Sequence, residues 1–271
     1  SFMQLLYGRH PYSKSTIGQK STIEAIKKKN IIQHYLKYFR PNNSYLAVVG
    51  KVDDALRAKI QARFSEWIRQ DVTPVNVNQA VKNEGPKIRL ITKADSQQAQ
   101  IRLGHLGIQR NHPEFVTLRV ANTALGGAFN SRLVNRVRRD LGLTYDIASE
   151  FDADLGVGPF LISTFTKSET VGKVIREVEA VVREYCDKGI SSEELEATKG
   201  YLKGMFPRAI ETSEKLAQNL LLLRLYGVSD NYLRDYLANV DELTVREVNK
   251  AIRQYIKPEQ FRISVFGNPN V

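Results

Sequence analysis

A repeated order of helix, proline, apolar strand and glycine constrains the fold more than any other feature of this sequence. Residues 41–43 (Pro-Asn-Asn) precede the apolar run 45–50, and residues 258–260 (Pro-Glu-Gln) precede the apolar run 261–267. Both runs end in glycine, and both have the length of a buried strand. Proline ends the predicted helix before each run because it cannot continue a helix. A chance match is possible, but the shared order favours an internal duplication of an α+β lobe.

The length and composition are those of an ordinary globular chain. It has 271 residues, of which 42% are hydrophobic and 25% charged. No apolar run approaches the roughly 18 residues of a membrane span, and no signal-peptide pattern opens the chain. The chain begins at Ser1 without an initiator methionine, so we expect it to be a piece of a longer protein, and export stays open.

The single cysteine, Cys186, excludes an intrachain disulfide and a cysteine-based metal site. It falls within a predicted amphipathic helix spanning 171–188. A packed or half-exposed thiol is therefore expected there rather than a nucleophile.

The positive charge is concentrated in the first third of the chain. The net charge is +11; residues 1–83 hold 14 Lys/Arg against 5 Asp/Glu, and residues 84–271 hold 26 against 24. A basic patch can bind nucleic acid, but no RNA- or DNA-binding signature accompanies this one. A solvated basic face is therefore expected, and nucleic acid is not expected as a partner.

The pattern of caps, breakers and periodicity predicts mixed helices and strands. Residues 1–20 resemble a loop, residues 21–39 a helix, and residues 71–78 a polar linker. The remaining predictions are helices over 53–68, 113–125, 131–139, 170–188, 216–226 and 244–256, a helix from 191 that Pro207 kinks or breaks, and strands over 45–50, 87–92, 99–106, 145–151, 159–166 and 261–266.

The segment from Arg138 to Tyr145 carries the clearest functional pattern. Its sequence is Arg-Arg-Asp-Leu-Gly-Leu-Thr-Tyr, in which a short basic helix runs through Leu-Gly-Leu into a predicted strand. The helix end and the strand start can aim Arg138 and Tyr145 at one spot. A guanidinium and a phenol there suit a peptide carbonyl, or the oxyanion formed when that carbonyl is attacked.

The chain resembles the insulinase/pitrilysin superfamily of zinc metallopeptidases in its mitochondrial-processing-peptidase-like branch. Ordered motifs carry the resemblance across nearly the whole chain, and they are Gly8-Arg9-His10-Pro11-Tyr12, Pro41-Asn42-Asn43, Val48-Val49-Gly50-Lys51-Val52-Asp53, Gln98-Ala99-Gln100-Ile101-Arg102-Leu103-Gly104, Val120-Ala121-Asn122-Thr123-Ala124-Leu125-Gly126-Gly127, Asn130-Ser131-Arg132-Leu133, Val137-Arg138-Arg139-Asp140-Leu141-Gly142-Leu143-Thr144-Tyr145 and Ser191-Ser192-Glu193-Glu194-Leu195-Glu196-Ala197-Thr198-Lys199. The resemblance implies lobes of mixed β-sheet backed by helices. Residues 1–78 correspond to the C-terminal part of the leading lobe plus a linker, and residues 79–271 to a complete second, substrate-side lobe.

The resemblance also implies zinc, bound in the family by an H-x-x-E-H motif whose Glu activates a water. This sequence lacks the motif, and its four histidines (His10, His34, His105 and His112) are expected to be structural or solvated. No metal ligand is therefore expected on this chain. Zinc is expected on the missing lobe or on a partner subunit, and this chain alone is expected to be inactive.

Arg138 and Tyr145 match the family's Arg/Tyr pair, which grips the peptide near the scissile bond. The resemblance assigns them substrate and transition-state support in trans. The alternatives are a surface arginine and a half-buried strand aromatic. In two-chain bacterial members the zinc motif and the pair are often divided between chains, which favours a zinc-less partner subunit here, although single-chain and homodimeric members can carry both.

Gly126 and Gly127 match the family's glycine-rich loop. Glycine permits positive φ and close backbone approach. The two residues are expected either to form a tight turn or to contact the peptide as substrate-binding residues.

The resemblance thus implies a non-zinc lobe that binds peptide and supports proteolysis by a zinc-bearing homologous subunit, or by a second copy in a homodimer. A structural scaffold that keeps the fold without peptidase function is the alternative. Because relatives are bacterial or mitochondrial, the expected location is the bacterial periplasm or, alternatively, the mitochondrial matrix.

Overall fold

The computed structural model describes residues 2–74, 76–77 and 87–268. The α-helices in chain order are α1 Phe2–Tyr7, α2 Lys20–Glu24, α3 Lys28–Tyr38, α4 Asp54–Phe64, α5 Phe115–Asn122, α6 Val171–Lys188, α7 Ser192–Ile210, α8 Ser213–Leu225, α9 Tyr232–Glu242 and α10 Val245–Tyr255. The strands are β1 Ile88–Thr92, β2 Gln98–Leu106, β3 Ile147–Phe151, β4 Pro159–Lys167 and β5 Arg262–Gly267. The expected α+β class is confirmed.

The described residues divide into two compact units. The first unit comprises the described residues of Ser1–Lys14, Val77–Gly204 and Leu233–Val271. The second unit comprises the described residues of Ser15–Asn76 and Met205–Tyr232. The boundary predicted between residues 78 and 79 lies outside the described residues. The first unit contains the sheet.

The sheet has five strands in the order β1-β5-β2-β4-β3. β1 and β5 are parallel, and the other neighbours are antiparallel. The predicted hairpin of β3 and β4 is confirmed. Helix α6 packs against β4 of the sheet, and its Val174, Val178 and Val182 are fully buried at helical spacing. Gly189 ends α6 with φ 76°, as its sequence position predicts.

The prediction that residues 1–20 form a loop is wrong for the first six described residues. Phe2, Leu5 and Leu6 lie on one face of α1 and are buried, with Phe2 and Leu6 packed in a cluster that includes Leu161 of β4. The Tyr7 hydroxyl donates to the Val157 carbonyl at 2.8 Å. The sequence pattern indicated a loop because of Gly8 and Pro11. Both residues lie just beyond the end of α1, so they do not interrupt this short apolar helix.

In the second unit the predicted strand over residues 45–50 is wrong. These residues form neither strand nor helix, and Tyr45 and Leu46 are exposed. The five-stranded sheet does not include them, and a strand cannot persist without a hydrogen-bonding neighbour. The preceding part of the repeat is confirmed: α3 and α10 each end three residues before proline, and each proline starts a short 3₁₀ turn.

Other local predictions are partly confirmed. The helix predicted over 21–39 is interrupted between α2 and α3. Asp53 caps α4 as predicted, accepting a hydrogen bond from Leu56 N at 2.8 Å. The helix with Pro207 continues through it to Ile210. The helix α9 has no counterpart among the predictions.

His105 fastens the end of β2 to the segment between α10 and β5. It is 2% exposed and stacks near Phe160 and Phe261. Its Nδ1 donates to the Leu106 carbonyl at 2.8 Å, and its Nε2 accepts from Lys257 N at 3.0 Å. This pattern requires the neutral ring, and burial lowers the pKa of His105.

Folding lowers the pKa of His105. At mildly acidic pH the imidazole therefore binds a proton more readily in the unfolded chain than in the folded chain. The contribution of His105 to the free energy of unfolding is fully present above its unfolded pKa of about 6.5, and it is lost as the pH falls towards its folded pKa. We therefore expect the free energy of unfolding to decrease between pH 7 and pH 5. In urea titrations, His105→Gln should flatten this dependence, whereas His34→Gln, at an exposed position, should not; equal profiles for both variants would contradict the prediction.

Candidate functional site

Arg138 lies on a short helix that closes with a glycine turn. The residues Val134–Asp140 form a π-helical segment, a wider turn often found at functional sites. Gly142 then adopts φ 60°, a left-handed conformation suited to glycine. The Leu143 N–H donates to the Val137 carbonyl at 3.0 Å, and the Gly142 N–H to the Arg138 carbonyl at 3.2 Å. These bonds fix where the chain turns after Arg138.

Threonine hydroxyls fasten the loop that carries Tyr145. Thr144 Oγ1 accepts from Asp146 N at 3.1 Å, and Thr164 Oγ1 donates to the Asp146 carbonyl at 2.8 Å. Thr166 Oγ1 donates to the Leu143 carbonyl at 2.6 Å. All three threonines are buried, and the last two are on β4. The sheet therefore holds the loop on both sides of Tyr145.

The structure brings Arg138 and Tyr145 together as predicted. The guanidinium carbon of Arg138 lies 4.8 Å from the centroid of the Tyr145 ring. Tyr145 precedes β3 by two residues instead of lying within a strand, and its side chain is 75% exposed. The alternative of a half-buried strand aromatic is therefore wrong.

Phe129 is a third member of this site that sequence reasoning missed. The guanidinium carbons of Arg138 and Arg139 lie 4.9 Å and 4.7 Å from its ring centroid. Its side chain is 62% exposed, although it is a large apolar group. The available signal was an aromatic residue within a run of small ones directly after Gly126 and Gly127. Arg138 is thus flanked by two aromatic rings.

Gly126 and Gly127 end a π-helical turn after α5, and neither has positive φ. Gly126 is buried, and a Cβ there would lie 2.4 Å from Ser149 Oγ of β3. The close approach explains glycine at this position by packing. Gly127 is exposed beside Asn122. That either residue contacts a peptide remains a prediction.

Two other arginines of the same segment are paired with carboxylates. Arg132 makes a bidentate pair with Glu194, with N–O distances of 2.7 and 2.6 Å, and donates to the Gly189 carbonyl. Hydrogen bonding to Arg132 holds the pKa of Glu194 below its usual range. Arg136 pairs with Glu177 at 2.9 Å. These two arginines connect the segment to α7 and α6.

Three of the four histidines have both ring nitrogens engaged within the described part of the chain. No group of three or more His, Cys, Asp or Glu side chains that could hold a metal occurs among the described residues. Both ring nitrogens of His10 are engaged, by Tyr12 N and the Val77 carbonyl. Those of His105 and of His112 are engaged as well. The donor set of this part of the chain does not fit the zinc of the family.

Cys186 is a half-buried thiol, as expected for a packed side chain. Its Sγ lies 3.6 Å from the Ile256 carbonyl oxygen. Burial raises the pKa of the Cys186 thiol to about 11. At neutral pH it is protonated and a poor nucleophile.

Comparison with known proteins identifies the family. Residues 25–202 match the family model of the peptidase M16 inactive domain. The chain belongs to this family, which confirms the resemblance to insulinase-type peptidases. Within the described residues, no helix is long and apolar enough to cross a membrane.

Individual relatives agree with this assignment. The chain is 26% identical over 269 residues to an uncharacterized zinc protease of Mycobacterium tuberculosis, and the aligned region covers 98% of this chain and 61% of the relative. It is 24% identical over 271 residues to a Helicobacter pylori protein named non-peptidase homolog YmxG, and the aligned region covers 98% of this chain and 61% of that protein. The crystal structure of a peptidase M16 inactive domain from Pseudomonas fluorescens superposes with a TM-score of 0.89 at 27% identity, covering 98% of this chain and 64% of that one. The chain thus spans about three fifths of these relatives' length.

The left-handed conformation of Gly142 provides a stability test. Nothing lies within 4 Å of a Cβ built there, so Gly142→Ala adds only backbone strain, which we expect to cost about 1–2 kcal/mol. Gly200 is equally open but lies inside α7 without positive φ, so Gly200→Ala should stabilise by about 0.5–1 kcal/mol. Urea unfolding of both variants measures the difference; equal effects would show that the turn after Arg138 is not strained by a side chain.

Proposed function

We propose that this chain is the non-zinc lobe of a peptidase, binding the peptide and supporting its cleavage by a zinc-bearing lobe or partner subunit. The convergence of Arg138 and Tyr145 on an exposed, fastened loop carries the proposal. The family supports it, since the matched model is that of an inactive domain. The chain alone is proposed not to cleave peptides.

The chemistry follows from the two side chains. Tyr145 is exposed and Arg138 is half-buried, and both side chains carry hydrogen-bond donors. A guanidinium that lies over aromatic rings keeps its N–H edge available. Donors fixed in advance stabilise the negative charge that develops on a carbonyl oxygen during attack. In this proposal the attacking water and the metal that activates it come from the zinc-bearing lobe or partner, which agrees with the lack of a metal-holding group among the described residues.

A sheet edge beside the site offers a place for an extended peptide. In the described part of the chain, β3 pairs only with β4 and is therefore an edge strand, in which the Ser149 carbonyl accepts from Asn122 Nδ2 at 2.8 Å. A peptide can add to such an edge by main-chain hydrogen bonds. β3 begins two residues after Tyr145, which places the edge next to the proposed donors.

The partner in this proposal is a zinc-bearing homologous subunit or a second copy of the protein. The proposed location is the bacterial periplasm, or alternatively the mitochondrial matrix. These parts of the proposal come from the family resemblance, and the partner experiment below also tests which chain carries the zinc.

A structural scaffold is the second candidate function. The relative named non-peptidase homolog supports it, because that protein matches this chain over 98% of its length. A scaffold requires the fold but not the exposed pair. Substitution of Arg138 therefore separates the two functions.

The direct test uses the full-length parent, alone and mixed with a homologue bearing H-x-x-E-H, with peptide cleavage and zinc content measured on each. We expect cleavage only in the mixture and zinc only on the homologue. In the mixture, Arg138→Ala should lower kcat by about 10²–10³-fold, the usual cost of one oxyanion donor, without preventing assembly.

The matched control is Arg136→Ala, which removes the same charge from the same helix at a residue paired with Glu177. It should leave kcat nearly unchanged. Cleavage by the parent alone would overturn the in-trans role. Unimpaired cleavage by Arg138→Ala would favour the scaffold.

Zinc titration into this chain tests the metal assignment separately. Because three of the four histidines have both ring nitrogens engaged, we expect no stoichiometric binding in competition with a chromophoric chelator. Tight binding at a ratio of one zinc per chain would show that the chain holds a metal site of its own.

A further inference from the structure

The arginines of residues 132–139 fall into two groups that the structure keeps apart. Arg132 and Arg136 are neutralised by Glu194 and Glu177. Arg138 and Arg139 have no carboxylate within 4 Å among the residues that the structure describes, and both stack on Phe129 instead. The helix thus has two arginines with a carboxylate partner and two without one, of which Arg139 is exposed and Arg138 is half-buried.

The ring of Phe129 is shared by the two guanidinium groups that have no carboxylate partner. Because both guanidinium carbons lie within 5 Å of one ring centroid, they are within about 10 Å of each other. Stacking holds a guanidinium plane without using its N–H donors. Contact with the ring therefore leaves the guanidinium donors available for an anion, apart from Arg139 Nη1, which donates to Asn135 Oδ1.

Asn135 holds the arrangement rigid. Its side-chain oxygen accepts from Arg139 Nη1 at 2.8 Å, and its amide nitrogen donates to the Asn130 carbonyl at 3.0 Å. One side chain therefore connects Arg139 with the loop next to Phe129. A ligand meets a guanidinium that is already oriented, so little conformational freedom is lost on binding.

We propose that Phe129 and Arg139 form a subsite, adjacent to Arg138 and Tyr145, that selects a carboxylate of the bound peptide. A planar carboxylate matches the N–H fork of arginine. The carboxylate is either an acidic side chain or the peptide's own C-terminus. The inference rests on the proposed peptide-binding role, and it adds a substrate class: peptides with an acidic group beside the segment gripped by Arg138.

The test measures the binding of fluorescein-labelled peptides to the 271-residue chain by anisotropy at low salt. Three peptides share one extended sequence: one with a central Glu and an amidated C-terminus, one with Gln in its place, and the Gln peptide with a free C-terminus. We expect one or both of the carboxylate peptides to bind at least 5-fold more tightly than the amidated Gln peptide. The stronger of the two identifies the source of the carboxylate.

Variants separate the subsite from net charge. In Arg139→Ala the preference should fall to about 1, whereas Arg136→Ala, which removes an equal charge from the same helix, should retain it. Phe129→Leu keeps the charge but removes the ring, and it should lower the preference at least 2-fold. Both positions 129 and 139 are exposed, so folding should be unaffected.

Three outcomes would overturn the subsite. Equal losses in Arg139→Ala and Arg136→Ala would mean that only net charge matters. An unchanged preference in Phe129→Leu would remove the ring from the site. Equal binding of all three peptides to the unaltered chain would refute the carboxylate selection while leaving peptide binding intact, whereas no binding of any peptide would count against the proposed function itself.

Discussion

The antiparallel pairing of β2 with β4 is the constraint on which the site depends. Nine residue pairs run from Gln98 opposite Lys167 to Leu106 opposite Pro159. Gly104 sits within this ladder, where a Cβ would lie 2.1 Å from the Phe160 carbonyl oxygen, so only glycine fits. The register decides the face of the sheet on which each β4 side chain lies, because a one-residue slip reverses every side chain.

The register of β4 sets the positions of Thr164 and Thr166, and these two residues in turn position the loop that carries Tyr145. Their hydroxyls bind the carbonyl groups of Asp146 and Leu143, on either side of the tyrosine. Each bond contributes only about 0.5–1.5 kcal/mol net. Their effect is nevertheless specific, since they bond main-chain atoms and leave the tyrosine ring available to contact Arg138. The β2–β4 pair thus fixes the loop that carries this exposed side chain.

The sequence predicts much of the sheet unit because its signals there are local. The Leu-Gly-Leu sequence of residues 141–143 predicts a turn that brings Arg138 and Tyr145 together. Gly189, which follows a periodic segment, predicts the end of α6. The predicted α+β class and the hairpin of β3 and β4 depend on similar short-range patterns.

The contacts that pattern reasoning missed are non-local. Glu194, the partner of Arg132, is 62 residues away. Phe129 follows a run of small residues, and only the fold brings two guanidinium groups within 5 Å of its ring centroid. The run 45–50 has a strand's composition, but composition cannot provide the neighbour that a strand requires. Short helix α1 was hidden because Gly8 and Pro11 outweigh an apolar face of only six residues.

Under the proposed function, the arginine partners let one helix serve both stability and peptide binding. Ion pairs to Glu194 and Glu177 consume guanidinium donors and attach the helix to α7 and α6. Contacts with the Phe129 and Tyr145 rings orient the other two guanidinium groups. They leave guanidinium donors available, apart from Arg139 Nη1, which donates to Asn135. The arrangement is explained if the ordering of these side chains is completed during folding, so that a peptide binds without having to order them.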